Sequence, residues 1–143
     1  MKKVLFFMMI VSGLLFAQNE VTDESRCEIV FDNGVILKNV EVAMTKQKMA
    51  IGLAKREVIE NAMIFVFPKE ENLHFWMKDT LADISIGFID ENMNLFQIDE
   101  MKTATLDIHS SKQKAKYALE LEKNGFEKRK VKVGNKIDSF KCK

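Results

Sequence analysis

Four short apolar runs, separated by turn-forming residues, occupy the stretch between residues 61 and 101. Apolar runs of about four to eight residues bounded by turn residues are typical of β-strands, because helices in globular proteins are usually longer. A strand buries its apolar face only by joining other strands in a sheet that packs against further structure. This stretch therefore predicts that a β-sheet forms the core of the domain and carries whatever functional site the protein has.

The first of these runs, Met63–Phe67, is continuously apolar and ends at Pro68, the single proline of the chain. Such a run predicts a strand that is covered on both faces, with the proline as its end and a polar turn at residues 69–72. Residues 73–78 alternate, so Trp76 and Lys78 are predicted to leave one face of a second strand. Residues 84–100 predict a hairpin that continues this pattern, so that three adjacent antiparallel strands result.

The N-terminal part of the domain predicts a hairpin followed by a helix. Asn33-Gly34 separates two alternating runs, and both residues accept the positive φ values of a tight hairpin turn. Thr45 can cap a helix in which Met49 and Leu53 share one face. Gly52 weakens this helix by up to ~1 kcal/mol relative to alanine, and a glycine kept at that cost predicts close packing against a neighbour.

The C-terminal part is less regular. Residues 102–116 are polar and predict a loop, residues 117–121 are ambiguous between strand and helix, and Val131 with Val133 predicts a last short strand. Taken together, the chain predicts a β-rich α+β domain with one or two short helices. Its sheet is expected to be small, mixed or mostly antiparallel, and to form an open sheet or a closed barrel.

The first residues predict export. Two lysines, a short uncharged apolar run and the small residue Ala17 make a secretory signal peptide over residues 1–17, and the run is short for a permanent membrane anchor. Residues 18–26 predict a flexible leader and residues 27–143 a single domain. The protein is expected in the periplasm or outside the cell, with membrane attachment only through an uncleaved signal.

Charge and cysteine content narrow the class of protein further. The chain has 22 basic and 21 acidic residues, a balance that excludes a general attraction to nucleic acid. Its two cysteines, Cys27 and Cys142, lie near the two ends of the mature chain. In an oxidising compartment they are expected to form a disulfide, while two unrelated thiols are the alternative. Their spacing matches no zinc-binding pattern.

Several segments, taken in their order along the chain, resemble the uncharacterised DUF192 (UPF0127) family over roughly residues 37–137. The segments that carry this resemblance are Gly52-Leu53 with Arg56 downstream, Met63-Ile64-Phe65-Val66-Phe67-Pro68, Phe75-Trp76-Met77-Lys78-Asp79-Thr80, Phe88-Ile89-Asp90, Glu100-Met101 and Tyr117-Ala118-Leu119-Glu120-Leu121. Asp79 stands where that family usually has asparagine. Proteins of this family are often exported and have no established activity, so the resemblance supports the fold class and implies no reaction.

The candidate site gathers polar and aromatic residues around Trp76 and Lys78. An aromatic plate beside an ammonium and hydroxyl groups suits a sugar-like or anionic ligand. The alternative is that Trp76 fills the core while Lys78 extends to water and pairs with an acid. A second alternative, for the charged members, is a structural network of ion pairs. The full predicted ligand-binding set is Arg56, Trp76, Lys78, Asp79, Thr80 and Glu100.

The sequence lacks the patterns of nucleophilic, phosphate-binding and metal chemistry, so no catalytic residue, metal or cofactor is predicted. The leading hypothesis is a monomeric, exported, non-catalytic module that binds a small polar ligand. One alternative is a small hydrolase or lyase with Asp79 or Glu100 as the base. The other is an accessory protein that docks an envelope partner through a sheet edge or an apolar patch.

Overall fold

The computed structural model describes residues 20–143, so the predicted signal peptide at residues 1–17 lies outside the described part of the chain. The elements, in chain order, are β1 (Arg26–Phe31), β2 (Ile36–Ala43), α1 (Lys46–Ile51), β3 (Met63–Glu71), β4 (His74–Phe75), β5 (Ile84–Ile89), β6 (Leu95–Met101), β7 (His109–Ser110), β8 (Ala115–Glu122), α2 (Gly125–Lys128) and β9 (Ile137–Cys142). The β-rich α+β class with two short helices is therefore confirmed.

Seven strands form one mixed sheet in the order β6-β5-β8-β3-β2-β1-β9, and β4 and β7 pair separately. The β2–β3 pair is parallel, while the other pairs in the sheet are antiparallel. The sheet curls until its two edge strands, β6 and β9, approach each other. Two hydrogen bonds join this region: Leu95 N donates to Asn135 O at 3.0 Å, and Ile137 N donates to Met93 O at 3.0 Å. The result is a half-barrel whose central strands are covered on both faces.

The strand predicted at residues 63–67 is present and is buried on both faces, as expected from its unbroken apolar sequence. Ile64 packs in the cluster inside the curl with α2, whereas Met63 and Phe65 pack in the cluster on the other face, beneath α1. The strand does not end at Pro68, however, but continues to Glu71. The pairing of β3 with β8 shifts between Val66 and Glu71, and such an irregularity tolerates the missing N–H of proline.

The N-terminal hairpin and the helix capped by Thr45 are confirmed, but the helix ends at Ile51, so Leu53 lies beyond it and not on its face. Gly34 has φ +85° in the turn between β1 and β2, and Thr45 Oγ1 accepts a hydrogen bond from Lys48 N at 3.2 Å. Gly52 ends α1 with φ +50°, and a Cβ built on it would lie 3.3 Å from the Phe65 ring. The close packing predicted for this glycine is therefore present. Asp23, in the predicted leader, accepts a hydrogen bond from Met44 N at 2.6 Å.

Two predictions for residues 73–100 are wrong: the strand at residues 73–78 and the three adjacent antiparallel strands. Only His74–Phe75 of the predicted strand at residues 73–78 is extended, and it pairs with β7 rather than with β5. The neighbours of β5 are β6 and β8, so the predicted trio of adjacent strands does not form. Residues 117–121 belong to β8, which occupies the position predicted for residues 73–78. β8 lies far along the chain but takes this place beside β5, because sheet order depends on long-range packing and not on sequence proximity.

The last strand is also displaced from its predicted place. Val131 is buried beside α2, where its N–H donates to Phe126 O at 2.9 Å, and Val133 is exposed in the following turn. The last strand is β9, which pairs with β1 and places Cys27 opposite Cys142. These two cysteines form a disulfide, which confirms the pairing. The disulfide is compatible with an exported protein. Across residues 20–143, no helix is long and apolar enough to cross a membrane.

Replacement of Gly87 by alanine is expected to lower the free energy of unfolding by about 1–3 kcal/mol, as overpacking in a dense core does. Gly87 lies in β5, and an added Cβ would stand 2.6 Å from Phe126 Cζ and 2.8 Å from Leu95 Cδ1. Urea unfolding measures the loss. In a Phe126→Leu variant the ring is absent, so Gly87→Ala should lower the free energy of unfolding by less than in the wild type. An equal loss in both proteins would contradict the clash with the Phe126 ring.

Candidate functional site

A pocket of about 360 Å³ lies between α1, β3, β4 and the turn that follows β4. Its walls are largely apolar and aromatic, and its charged members are two lysines and one carboxyl group. The lining residues are Lys46, Met49, Ala50, Ile51, Gly52, Leu53, Phe65, Phe67, His74, Phe75, Trp76, Met77, Lys78, Thr80, Ile84 and Glu120. Three predicted site residues, Trp76, Lys78 and Thr80, are thus brought together. The volume and the mixed lining suit a small ligand.

Lys78 reaches the pocket from a turn, and Trp76 from the residues that connect this turn to β4, so neither lies in a strand. Asp79 adopts φ +56°, and its carbonyl accepts a hydrogen bond from Lys55 N at 2.8 Å, which ties the turn to the segment after α1. Trp76 is 52% exposed, so it does not fill the core. Lys78 Nζ lies 5.4 Å from the centroid of the indole ring, within the range of a cation–π interaction.

Thr80 closes the same turn. Its N–H donates to Met77 O at 3.1 Å, and its hydroxyl donates to Lys78 O at 3.3 Å. The side chain is buried at the pocket wall. Thr80 therefore shapes the turn that presents Lys78.

Aromatic rings build the wall opposite α1. Phe75 stands edge-to-face on Phe65, with ring centroids 5.0 Å apart, and meets Phe88 at 6.0 Å. His74 is held at the rim because its Nδ1 lies 2.7 Å from Ser110 Oγ. These contacts hold the short β4 strand against the sheet.

Glu120 is the carboxyl group of the pocket, and sequence reasoning did not select it. It lies in the middle of β8, opposite Met63 of β3 and Ile86 of β5, and is 6% exposed. Burial among these apolar neighbours raises its pKa to about 8, an effect that the positive charge of Arg56 partly offsets. A glutamate inside the apolar run Ala118–Leu121, on a strand buried on both faces, is the signal that would have identified it.

Arg56 lies beside the pocket and is paired with a different acid. Its Nη1 and Nη2 donate to Glu41 Oε1 and Oε2 at 2.6 Å and 3.0 Å, which is a bidentate ion pair. Hydrogen bonds from Arg56 hold the pKa of Glu41 below its ordinary value, against the opposing effect of burial. Arg56 thus connects two buried carboxyl groups, Glu41 by contact and Glu120 through its charge.

Asp79 and Glu100 do not line the pocket. Asp79 is exposed in the turn. Glu100 lies in β6 opposite Ser85, whose hydroxyl donates to Glu100 Oε1 at 2.5 Å. Because side chains alternate along a strand, Ser85 and Glu100 face α2, while Ile86 and Glu120 face the pocket. The structure therefore does not join Asp79, Glu100 and Arg56 into one charged network.

Among residues 20–143, no three histidine, cysteine, aspartate or glutamate side chains are grouped so that they would hold a metal ion. The chemistry open to this pocket is hydrogen bonding at Glu120, attraction of an anion to the lysines, and stacking on the aromatic rings.

Comparison with known proteins places these features in a family context. The family model DUF192, described as "Uncharacterized ACR", matches residues 29–139. The curated proteins contain no match to this sequence. A crystal structure from Sinorhizobium meliloti 1021, described as a "putative transcription regulator", is similar, with a TM-score of 0.73 and 22% identity over 86% of this chain and 97% of that chain.

A second crystal structure, of a protein of unknown function from Novosphingobium aromaticivorans DSM 12444, is similar with a TM-score of 0.72. The identity is 20%, and the match covers 80% of this chain and 84% of that one. At these identities the two likenesses establish the fold alone.

Proposed function

We propose, on the premise that this chain belongs to the DUF192 family, that it is an exported, non-catalytic module that binds one small ligand. The observation that carries the proposal is the pocket in which Trp76, Lys78 and Thr80 meet aromatic walls and a buried carboxyl group. A pocket with apolar walls and few polar groups binds a ligand by enclosing it, and those polar groups orient the ligand. Trp76 offers a flat face, and Lys78 offers charge to an anionic or hydroxyl group.

The exposure of Trp76 supports this use of the side chain. An indole that served only the core would be buried, whereas this ring is half exposed at the pocket mouth with an ammonium above it. The Lys78 ammonium has no carboxylate within ion-pair distance in residues 20–143. An anionic group of a ligand would therefore meet an unpaired cation next to an aromatic surface.

Trp76→Ala and Lys78→Gln are each expected to weaken ligand binding about tenfold or more, which corresponds to about 1.4 kcal/mol. The melting temperature of the free protein should change little, because both side chains are exposed. Thermal shifts with a library of sugars, peptides, nucleotides and small organic acids measure both effects. Val133→Ala and Lys69→Gln, exposed residues outside the pocket, are the matched controls.

Two results would count against the binding function. One is the absence of any thermal shift with the library. The other is a shift that Trp76→Ala and Lys78→Gln leave as large as in the wild type, since the ligand would then lie elsewhere. Steady turnover of a library member would favour an enzyme instead. For an enzyme, Asp79 and Glu100 have little support as bases because neither carboxyl lines the pocket.

Export rests on the N-terminal residues and on the compatibility of the disulfide with an oxidising compartment. Expression of the full chain in a secreting bacterial host should yield a mature protein that begins at Gln18. N-terminal sequencing of the periplasmic fraction measures this. A product that keeps Met1 and sediments with the membrane would show an uncleaved anchor.

A further inference from the structure

Glu120 is a buried carboxyl group without a hydrogen-bond partner in residues 20–143, and it lines the pocket. Its neighbours on the adjacent strands, Met63 and Ile86, are apolar and offer no donor. No fully buried side-chain oxygen or nitrogen in residues 20–143 lacks a hydrogen-bond partner, so the small exposed part of Glu120 includes its carboxyl oxygens. These oxygens open to the pocket, where a ligand group that donates hydrogen bonds can reach them.

Charge balance indicates which donor fits best. The Arg56 guanidinium forms two hydrogen bonds with Glu41, so its positive charge is matched by that carboxylate. Glu120 is the second acid in the same neighbourhood, and no cation of residues 20–143 forms an ion pair with it. A buried carboxylate is tolerated when it is paired with a cation that also donates hydrogen bonds. An ammonium group supplies both.

The rest of the pocket has a complementary arrangement. Aromatic rings form its walls, among them Phe65, Phe67 and Trp76, and the faces of such rings attract an alkylammonium. Two lysines, Lys46 and Lys78, are the cations of the lining. A ligand that carried only positive charge would be repelled by them, whereas an anionic group on the same ligand would be attracted.

We infer that Glu120 pairs with the ammonium group of a small amphoteric ligand, whose anionic group lies against Lys46 and Lys78 and whose apolar spacer contacts the aromatic walls. This inference rests on the proposed binding function and narrows it to one ligand class. The ligand would be an amino acid with its two charges separated by an apolar chain.

Pairing with an ammonium requires Glu120 to lose its proton. Its raised pKa keeps the carboxyl neutral in the empty pocket near pH 7, so binding releases one proton to solvent. The charged and titratable groups around it are Arg56 and, through Arg56, Glu41, together with Lys46, His74 and Lys78 of the pocket lining. Affinity should rise about tenfold per pH unit up to about pH 8 and then level off.

The experiment uses calorimetry on the disulfide-bonded protein with ω-aminoalkanoates of graded chain length. For each length, the matched ω-hydroxyalkanoate, alkanoate and alkylamine are the comparison compounds. At the best length, the ω-aminoalkanoate should bind at least tenfold more tightly than the other three. Glu120→Gln should remove that preference and the pH dependence, and should leave alkanoate binding unchanged. Glu100→Gln, on the other face of the sheet, should leave all of these values unchanged.

Each other outcome overturns the inference. If the ω-hydroxyalkanoate bound as tightly as the ω-aminoalkanoate and no proton were released, Glu120 would form its hydrogen bond with a neutral donor. Preference for the amine that persists in Glu120→Gln would place the ammonium elsewhere. Failure of the whole series to bind would exclude this ligand class, while the binding function itself fails only if the wider library also gives no shift that depends on Trp76 and Lys78.

Discussion

Replacement of both Cys27 and Cys142 by serine is expected to lower the free energy of unfolding by about 3–5 kcal/mol. The disulfide closes a loop with a sequence separation of 115 residues, and a cross-link over so long a loop strongly restricts the unfolded chain. It also holds the edge strand β9 on β1, where Cys27 pairs with Cys142. Urea unfolding of the double variant and of the oxidised wild type measures the difference.

Reduction supplies the control for this prediction. Dithiothreitol should lower the stability of the wild type towards that of the double variant and should leave the double variant unchanged. The free-thiol content should be zero in the oxidised protein, since both described cysteines are bonded. Equal unfolding curves for oxidised and reduced wild type would mean that strand pairing alone secures the two ends.

Glu120→Gln is expected to stabilise the protein increasingly as the pH rises from about 5 to 8, in the absence of ligand. Burial raises the folded-state pKa of Glu120 to about 8, so over this range the native state keeps a proton that the unfolded state has lost. The stability that the protonated carboxyl contributes is therefore present below the unfolded pKa and is lost as the pH rises through the folded pKa. The difference should grow by about 1.4 kcal/mol per pH unit, to at most about 5 kcal/mol.

Chemical unfolding of wild type and variant at several pH values measures this slope. The comparison cancels groups with the opposite behaviour, such as Glu41, whose lowered pKa gives stability that is lost as the pH falls. Glu100→Gln, the same substitution at an exposed position on the other face of the sheet, is the matched control. A difference between wild type and Glu120→Gln that is constant with pH would show that Glu120 is ionised in the folded protein.

Trp76 and Lys78 were predicted to lie together, and they do, although the predicted strand that was expected to bring them together is absent. Alternation predicted that both side chains leave one face of a strand. The structure places Lys78 in a turn and Trp76 just before it, because Asp79 takes a positive φ and its carbonyl is held by Lys55 N. Neither the pairing of β4 with β7 nor the hydrogen bond from Lys55 follows from periodicity, since both join segments distant from the turn.

The acidic residues show the opposite case, in which residues that the sequence grouped into one site separate in space. Asp79 directly follows Lys78 and Glu100 ends the next predicted hairpin, but neither enters the pocket. Glu100 faces away because its register with Ser85 puts it on the α2 side of the sheet. Glu120 enters instead, although it lies far along the chain, because β8 inserts between β3 and β5.

Local features were determined by the sequence alone: the β-rich class, the hairpin at Asn33-Gly34, the Thr45 cap, and the buried strand that begins at Met63. Turn chemistry and the two-residue period of strands act between near neighbours, so they can be read directly from the residues. Tertiary structure alone decided that Glu120, and not Asp79 or Glu100, supplies the carboxyl group of the pocket. Strand order and register depend on contacts between distant segments, and a shift of one residue turns a side chain to the other face.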